Sequence, residues 1–460
     1  MALPQAKRVH FIGIGGYGMS ALAQVLLHMG YRVSGSDIHD SALIRRLAEQ
    51  GADIKLYHHP GNIGESDLVV YSTAIPADNS ELQEAHRRGI AIWHRSELLA
   101  ALINSHYGIA VAGTHGKTTT STMIALLLEA GGLDPTALIG GVVSSFQSNA
   151  RYGRSEYLVA EACESDHSFL RYRPHVAVIT NVEPDHLEHY ENDFNLLREA
   201  YKAFLQNLVA GGCAVLCFDD PFLRSIALHV ERKVVTYGLD EDGADYGARD
   251  IVLHGLGGSF TFCRRGEPLV ASVTLQVPGR HNVSNAVAAL AVAAELGLDL
   301  ERCAGALKDF RGAKRRFEIV GEIRGVKIID DYAHHPTEIK VTLQAARAVA
   351  RRLCCIFQPH RYSRTEYFFE EFARSFADAD LVLLHRIYSA GEKPREGISS
   401  AALARRISEI KGQEVYHSED MDELGRLALE WAQPGDAIIV MGAGDITNLA
   451  YKLVQAQGPI

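Results

Sequence analysis

The stretch Ala112-Gly113-Thr114-His115-Gly116-Lys117-Thr118-Thr119-Thr120 separates an apolar strand pattern at 108–112 from an apolar helix pattern at 122–129. Backbone N–H groups of such a loop can surround phosphate oxygens, while the lysine reaches the β- and γ-phosphates and the first threonine ligates Mg²⁺. A strict phosphate-loop motif would have glycine at Val111, so this is a shortened variant. A purely structural turn does not explain the Gly-Lys-Thr run, and the stretch predicts an ATP-binding domain.

Two more strand–loop–helix patterns flank this one. Strand patterns at 9–12 and 326–329 are followed by helix patterns at 21–28 and 337–350. Strands that alternate with helices indicate parallel sheets covered on both faces, so the fold class is α/β. The stretch 245–277 is Gly-rich and alternates in polarity, which predicts a small antiparallel insertion. With boundaries near 105 and 312, the predicted domains are 1–105, 106–312 and 313–460.

The first glycine loop satisfies the G-x-G-x-x-G pattern through Gly13, Gly15 and Gly18, with Gly16 between them. Asp37 follows the next strand about 20 residues on, where an acid would bind a ribose. Taken alone, this pattern is typical of an NAD enzyme. Any nucleotide with a diphosphate could use the same backbone amides and helix N-terminus, so the ligand stays open here.

Acidic residues follow two strand patterns of the central domain, in the runs 161–166 and 181–186, the second of which ends in His186. The carboxyl ends of parallel strands form the ligand-binding edge of a sheet. Carboxylates with one imidazole suit Mg²⁺ or Mn²⁺ better than zinc. For each acid taken singly, a surface charge is an equally good interpretation.

Composition excludes several other classes. The 460 residues carry a formal net charge of −10, which argues against a non-specific nucleic-acid binder. No apolar run reaches the roughly 18 residues that a membrane span needs, and the N-terminus offers no signal-peptide core. The seven cysteines are dispersed, which favours free thiols in the reducing cytoplasm. We therefore expect a cytoplasmic protein that is a monomer or a weak homodimer.

Eight motifs, in matching order over nearly the whole chain, resemble the Mur ligase family. They lie at 13–20, 113–119, 161–166, 181–190, 278–286, 314–318, 330–338 and 357–365. The resemblance implies a Rossmann-like N-terminal domain for a UDP-sugar, a central phosphate-loop ATPase and a Rossmann-like C-terminal domain for an amino acid. It further implies ATP-dependent ligation of L-alanine to UDP-N-acetylmuramate through an acyl phosphate, with Mg²⁺ or Mn²⁺ as cofactor.

The family's functional residues carry over by position. The ATP site would comprise Gly113, Thr114, His115, Gly116, Lys117, Thr118, Thr119, Asn282, Asn285, Arg316 and Asp330. The UDP-sugar site would comprise Gly13, Gly15, Gly16, Gly18, Asp37, Ser72 and Thr73. The amino acid would meet Tyr332, His360 and Arg361, and the metal Thr118, Glu161 and His186. Catalysis would rest on Lys117, Glu161, His186, Arg316 and Asp331.

The chain departs from the family pattern at two places. Cys163 stands where the family usually has aspartate, and no lysine aligns clearly with the carbamylated lysine of other members, although Lys202 is near. Within the family, a ligase that adds a ready-made tripeptide is the main alternative, and the 357–365 signature favours the single amino acid. An NAD-dependent oxidoreductase or a non-enzymatic nucleotide-binding regulator would leave the Gly-Lys-Thr loop unexplained.

Overall fold

The structure is a computed structural model that describes residues 6–143, 146, 148–240 and 243–455. It divides into two compact units. The first runs up to Asp250 and adds Phe260–Val273 and Ser284–Phe310. The second consists of Ile251–Ser259, Thr274–Val283 and the chain from Arg311 onward. Among the described helices, none is both long and apolar enough to cross a membrane.

The first sheet has five parallel strands in the order β3-β2-β1-β4-β5. The strands are β1 Arg8–Ile12, β2 Arg32–Ser36, β3 Asp53–Lys55, β4 Leu68–Tyr71 and β5 Ala91–His94. The helices between and after them are α1 Tyr17–His28, α2 Ala42–Glu49, α3 Ser80–Arg88 and α4 Arg95–Ser105. Because all strands run the same way, the glycine loop after β1 lies at the carboxyl edge of the sheet.

The second sheet has ten strands in the order β15-β14-β13-β12-β11-β10-β6-β9-β7-β8. The strands are β6 Tyr107–Ala112, β7 Thr136–Val143, β8 Ser148–Arg151, β9 Tyr157–Glu161, β10 Val176–Ile179, β11 Cys213–Cys217, β12 Lys233–Gly238, β13 Tyr246–His254, β14 Gly257–Arg264 and β15 Glu267–Leu275. Its helices are α5 Lys117–Ala130, α6 Phe194–Gln206, α7 Pro221–Ile226, α8 Arg280–Glu295 and α9 Leu300–Leu307. The strands β10, β6, β9 and β7 are parallel neighbours, so the loops after β6, β9 and β10 meet at one edge.

The third sheet has six strands in the order β16-β17-β21-β18-β19-β20, with β16 antiparallel to the rest. The strands are β16 Glu318–Ile323, β17 Val326–Asp331, β18 Leu353–Phe357, β19 Leu381–His385, β20 Tyr416–Ser418 and β21 Ala437–Met441. The helices are α10 Pro336–Arg347, α11 Tyr362–Tyr367, α12 Phe369–Ala373, α13 Ser400–Lys411, α14 Met421–Trp431 and α15 Thr447–Gln455. Successive strand residues enter different cores: Cys354 packs on one face with Ile438, and Cys355 on the other with Ile439. All seven cysteines are free thiols, as predicted.

The predicted α/β architecture is confirmed, and several boundaries differ. The helices α1 and α5 begin directly at their glycine loops, four or more residues before the first apolar residue of each predicted helix, because the loop backbone itself starts the helix. The helix α10 ends at Arg347 and not at 350. The insertion predicted at 245–277 contains three strands, β13 to β15. The hairpin β7–β8 was missed, since the polar sequence of β8 reads as a loop.

Candidate functional site

The phosphate loop between β6 and α5 is tied to the loop that follows β10. The His115 N–H donates to Asn181 Oδ1 at 2.8 Å, and the Thr180 hydroxyl donates to the His115 carbonyl. Gly113 has a φ of 130°, and a Cβ there would lie 2.1 Å from Thr180 Oγ1. A further hydrogen bond links the two loops: the Glu183 N–H donates to the Thr114 hydroxyl at 2.8 Å. The loop is therefore held in a preformed conformation that only glycine allows at position 113.

Lys117 lies in the first turn of α5 and is largely buried against Glu164. Its Nζ donates to Glu164 Oε2 at 3.0 Å and to the carbonyl of Gly113. Burial opposes the charged ammonium, but the carboxylates of Glu164 and Glu161 hold the pKa of Lys117 above its usual value. The lysine is thus a fixed cation at the loop. Glu164 belongs to the predicted acidic run, yet nothing in the sequence singles it out as the lysine's partner.

The three predicted metal ligands lie on segments that meet at this edge of the second sheet. Glu161 ends β9 and accepts a hydrogen bond from the N–H of Gly140 on β7. The neighbouring Gly141 lies against Thr118, whose Cγ2 would be 3.7 Å from a Cβ at that position. Two glycines in β7 therefore let one strand approach two of the predicted ligands.

His186 supplies the test of whether these residues fit a divalent cation. Its Nδ1 is buried and makes no hydrogen bond among the described residues, with Glu188 Oε1 the ion-pair neighbour at 3.7 Å. Its backbone has a φ of 54°, and its N–H donates to Asp185 Oδ1 at 2.9 Å. A carboxylate, a hydroxyl and an imidazole with an unused ring nitrogen fit Mg²⁺ or Mn²⁺.

Two asparagines predicted beside the nucleotide base differ in their surroundings. Asn285 on α8 accepts a hydrogen bond from the Thr120 hydroxyl at 3.1 Å, and a Cβ at Gly116 would lie 2.7 Å from its Oδ1. It therefore contacts the phosphate loop directly, beside the turn that carries Thr119. Asn282, in the second unit, donates to the Pro278 carbonyl at 2.7 Å.

The first glycine loop is closed by Asp37. The Gly15 N–H donates to Asp37 Oδ2 at 2.9 Å, and the other carboxylate oxygen accepts from the N–H of Ile38 at 2.8 Å. A Cβ at Gly15 would lie 2.9 Å from that carboxylate, so the close approach requires glycine. Of the remaining predicted residues, Gly13 and Gly16 lie in the same loop, Gly18 lies in the first turn of α1, and Ser72 and Thr73 come directly after β4.

Beneath this loop lies a buried ionic network that the sequence did not reveal. Glu81 at the start of α3 is fully buried and accepts from His10 Nε2 at 3.0 Å and from the Ser36 hydroxyl at 2.6 Å. Its other oxygen accepts from Asn62 Nδ2 at 2.7 Å and from the His59 N–H. Burial opposes the charge, but these donors bring the pKa of Glu81 down to about 2. The network ties β1, β2 and α3 together under the loop.

In the second unit, two aspartates and two arginines surround the end of β17. Burial raises the pKa of Asp331 to about 6, although Arg316 and two backbone N–H groups oppose the shift. Asp330 is also shifted to about 6 by burial, and its Oδ2 accepts from the Thr447 hydroxyl at 2.7 Å. Arg315 and Arg316 both lie over the ring of Tyr332, at 4.9 and 5.1 Å. Arg316 also lies 3.6 Å from Glu338 Oε1, so the two arginines are held between carboxylates and the ring of Tyr332.

The predicted amino-acid residues are linked by a row of rings in the second unit. The rings of Tyr332 and His334 are 5.2 Å apart, and those of His334 and His360 are 5.8 Å apart. Arg361 follows with a φ of 69°, and its Nη1 lies 3.8 Å from Glu392 Oε1. Tyr332 and His360 are thus brought together, with His334 as a member that had no assigned role. His335, by contrast, caps α10 by accepting from the Thr337 N–H.

Family models match three successive parts of the chain. They are described as "Mur ligase family, catalytic domain" at residues 8–107, "Mur ligase middle domain" at 111–293 and "Mur ligase, glutamate ligase domain" at 315–444.

Individual relatives cover nearly all of the chain. The UDP-N-acetylmuramate–L-alanine ligase of Pelotomaculum thermopropionicum is 49% identical, with 98% of both chains covered. That of Symbiobacterium thermophilum is 48% identical, with 98% of this chain and 95% of the relative covered. Among solved structures, the UDP-N-acetylmuramate–alanine ligase from Thermotoga maritima has a TM-score of 0.82 at 30% identity, covering 98% of both chains. A murein peptide ligase from Psychrobacter arcticus has a TM-score of 0.71 at 26% identity, covering 99% of both.

Proposed function

Because the chain belongs to the Mur ligase family, we propose that it joins L-alanine to the carboxylate of UDP-N-acetylmuramate with the use of ATP. One observation carries the choice within the family: relatives named for this reaction are 44–49% identical over 97–98% of the chain. The phosphate loop with its buried lysine is the structural feature that ATP use requires.

The chemistry needs two steps, because a carboxylate has no adequate leaving group. First, a carboxylate oxygen of the sugar attacks the γ-phosphorus of ATP, the bond between that phosphorus and the bridging oxygen of ADP breaks, and ADP leaves; the other product is an acyl phosphate. Second, the amine of L-alanine attacks the acyl carbon, inorganic phosphate leaves, and the nitrogen loses its extra proton as the amide forms. Both steps concentrate negative charge on oxygens, and positioned cations stabilise such transition states.

The residues divide between these tasks. Lys117 and the amides of the phosphate loop bind the β- and γ-phosphates, and Arg316 with Asp330 and Asp331 serve ATP and the transferred group. Thr118, Glu161 and His186 would hold Mg²⁺ or Mn²⁺, which supplies charge neutralisation when bound. Arg361 binds the alanine carboxylate, since a guanidinium can make two parallel hydrogen bonds to it, beside Tyr332 and His360. The loop Gly13–Gly18 with Asp37, Ser72 and Thr73 binds the UDP-sugar. We place the reaction in the cytoplasm, where ATP and nucleotide sugars are made.

The test is phosphate release from ATP in the presence of UDP-N-acetylmuramate and one acceptor at a time. We expect turnover with L-alanine, weaker turnover with glycine and L-serine, and a product whose mass equals that of the sugar nucleotide plus L-alanine minus water. A missing methyl changes discrimination by only about 1–3 kcal/mol, so glycine is a poor substrate and not an inert one. Turnover with a tripeptide but not with L-alanine would refute the proposal in favour of the recycling ligase.

A further inference from the structure

The hairpin β7–β8 lies between the two helices that begin at the two glycine loops. The helix α1 starts at Tyr17, directly after the first loop, and α5 starts at Lys117, directly after the phosphate loop. The hairpin contacts both helices within the first unit. On the proposed function, on which the following inference rests, one helix carries the sugar-nucleotide site and the other carries the ATP site.

The helix α1 meets the hairpin through a buried amide. Asn149 is fully buried, and its Nδ2 donates to the Tyr17 carbonyl and to Ser20 Oγ, the latter at 3.0 Å. Tyr17 and Ser20 are three residues apart, so they lie on one face of the helix. These contacts fall in the first turn of α1, next to the glycine loop.

The same face continues with a second buried polar pair. Ser148 Oγ donates to Gln24 Oε1 at 2.8 Å, and Gln24 Nε2 donates to the Ala150 carbonyl at 3.2 Å. One turn further, the rings of His28 and Tyr152 stack at 5.5 Å. Apolar contacts tolerate sliding, whereas paired amides are satisfied in one register only, so these groups fix α1 along β8.

At the other side, the hairpin contacts the end of α5 and the predicted metal ligand Glu161. Arg151 ends β8 and donates to Asp134 Oδ1 at 2.8 Å and to Glu129 at the end of α5. Gly140 donates its N–H to Glu161, and a Cβ at Gly140 would lie 2.8 Å from that carboxylate. The hairpin is therefore hydrogen-bonded at one side to α1 and at the other side to Glu161.

We propose that Asn149 and Gly140 are positioning residues for the ligation, which act through the hairpin to set the distance between the sugar-nucleotide loop and the phosphate loop. The first chemical step requires a sugar carboxylate oxygen to approach the γ-phosphorus to about 3–3.5 Å. Each substrate can bind its own loop without this register. Only the reaction between them needs the two loops at a fixed separation.

The test is Asn149→Ala, with Asn104→Ala as the matched control. Asn104 on α4 is also an amide that joins two segments, since it donates to the Arg171 carbonyl and accepts from the Arg173 N–H. Both of these residues lie before β10 and outside α1 and the hairpin. For both variants, titration calorimetry gives the Kd of UDP-N-acetylmuramate alone and of ADP with Mg²⁺ alone, and steady-state kinetics give kcat.

For Asn149→Ala we expect both binary Kd values to stay within about twofold and kcat to fall roughly 100-fold, the scale of a 1 Å misplacement of reacting groups. Asn104→Ala should keep all three values. A folded Asn149→Ala with wild-type kcat, or one that loses binary affinity as much as kcat, would overturn the inference. If that variant does not fold, Gln24→Ala must show the same pattern or the inference fails. A wild-type protein without L-alanine ligation would instead refute the proposed function.

Discussion

At the scale of single residues, the ion pair between Lys117 and Glu164 combines a functional and a structural role. Both side chains are largely buried, with 14% and 1% of their surfaces exposed. Removal of one member of a buried pair leaves an uncompensated charge, which costs roughly 3–5 kcal/mol. Lys117→Met should therefore abolish ADP release and also lower the Tm.

The double variant Lys117→Met with Glu164→Gln separates the two roles of this pair. It should recover much of the Tm, because no buried charge is left unpaired, while ADP release stays absent. Thermal unfolding and coupled ADP assays on the wild type, Lys117→Met and the double variant measure this. Recovery of activity in the double variant would show that Lys117 does not serve the phosphates.

A second residue-scale prediction concerns Gly113, where steric space and backbone conformation both demand glycine. A Cβ would lie 2.1 Å from Thr180 Oγ1, so Gly113→Ala must move the phosphate loop, and we expect loss of ADP binding by calorimetry. Gly132→Ala is the matched control: its φ is 87° and no atom lies within 4 Å of the added Cβ. That change should cost about 1 kcal/mol of stability and leave ADP binding intact. Equal ADP affinity in both variants would contradict the preformed loop.

Arg361 carries the third residue-scale prediction, on the acceptor. Lysine cannot reproduce the planar fork of the guanidinium, so Arg361→Lys should raise the KM for L-alanine roughly tenfold, as loss of about 1.5 kcal/mol from a charged hydrogen bond implies. The KM for ATP should not change. An effect on ATP alone would show that the amino acid binds elsewhere.

At the scale of elements, local sequence predicts the glycine loops well, because a strand, a glycine run and a helix follow each other within a few residues. It does not predict partners that are distant in the chain. His10 and Glu81 are 71 residues apart, and neither lies in a motif. Asn149 lies in a short polar strand that reads as a loop. Glu164 is one of several acids at and after the end of β9. Which of them faces Lys117 depends on the path of the chain after the strand, and the sequence does not give that path.

The buried Glu81 network gives an element-scale prediction on pH. With a folded pKa of about 2, below the usual 4.5, ionised Glu81 stabilises the fold fully above pH 4.5 and less as the pH falls toward 2. Glu81→Gln should lower the free energy of unfolding at pH 7 by roughly 1–3 kcal/mol. It should also flatten the loss of stability between pH 4.5 and 2, measured by urea unfolding across that range. A variant with the wild-type acid profile would rule out Glu81 as its source.

At the scale of the whole molecule, the chain consists of two compact units. The second unit is held in part by Asp436, which is fully buried and accepts from Arg352 Nη2 at 2.6 Å and from the N–H of Gln433 at 2.8 Å. The first contains the Glu81 network. Since each unit has its own internal contacts, we expect two calorimetric transitions. Asp436→Asn should lower the Tm of one transition, and Glu81→Gln should lower the Tm of the other.

Ligand binding then assigns the transitions to functions. All residues proposed for UDP-N-acetylmuramate, from Gly13 to Thr73, belong to the first unit, whereas Arg361 belongs to the second. A ligand at about 100 times its Kd stabilises the state that binds it by about 2.7 kcal/mol. UDP-N-acetylmuramate should therefore raise the Tm of the transition whose Tm Glu81→Gln lowers. It should leave unchanged the Tm of the transition that Asp436→Asn affects. If it raised the second transition alone, the sugar nucleotide would bind the second unit, and the assignment of the first glycine loop would be wrong.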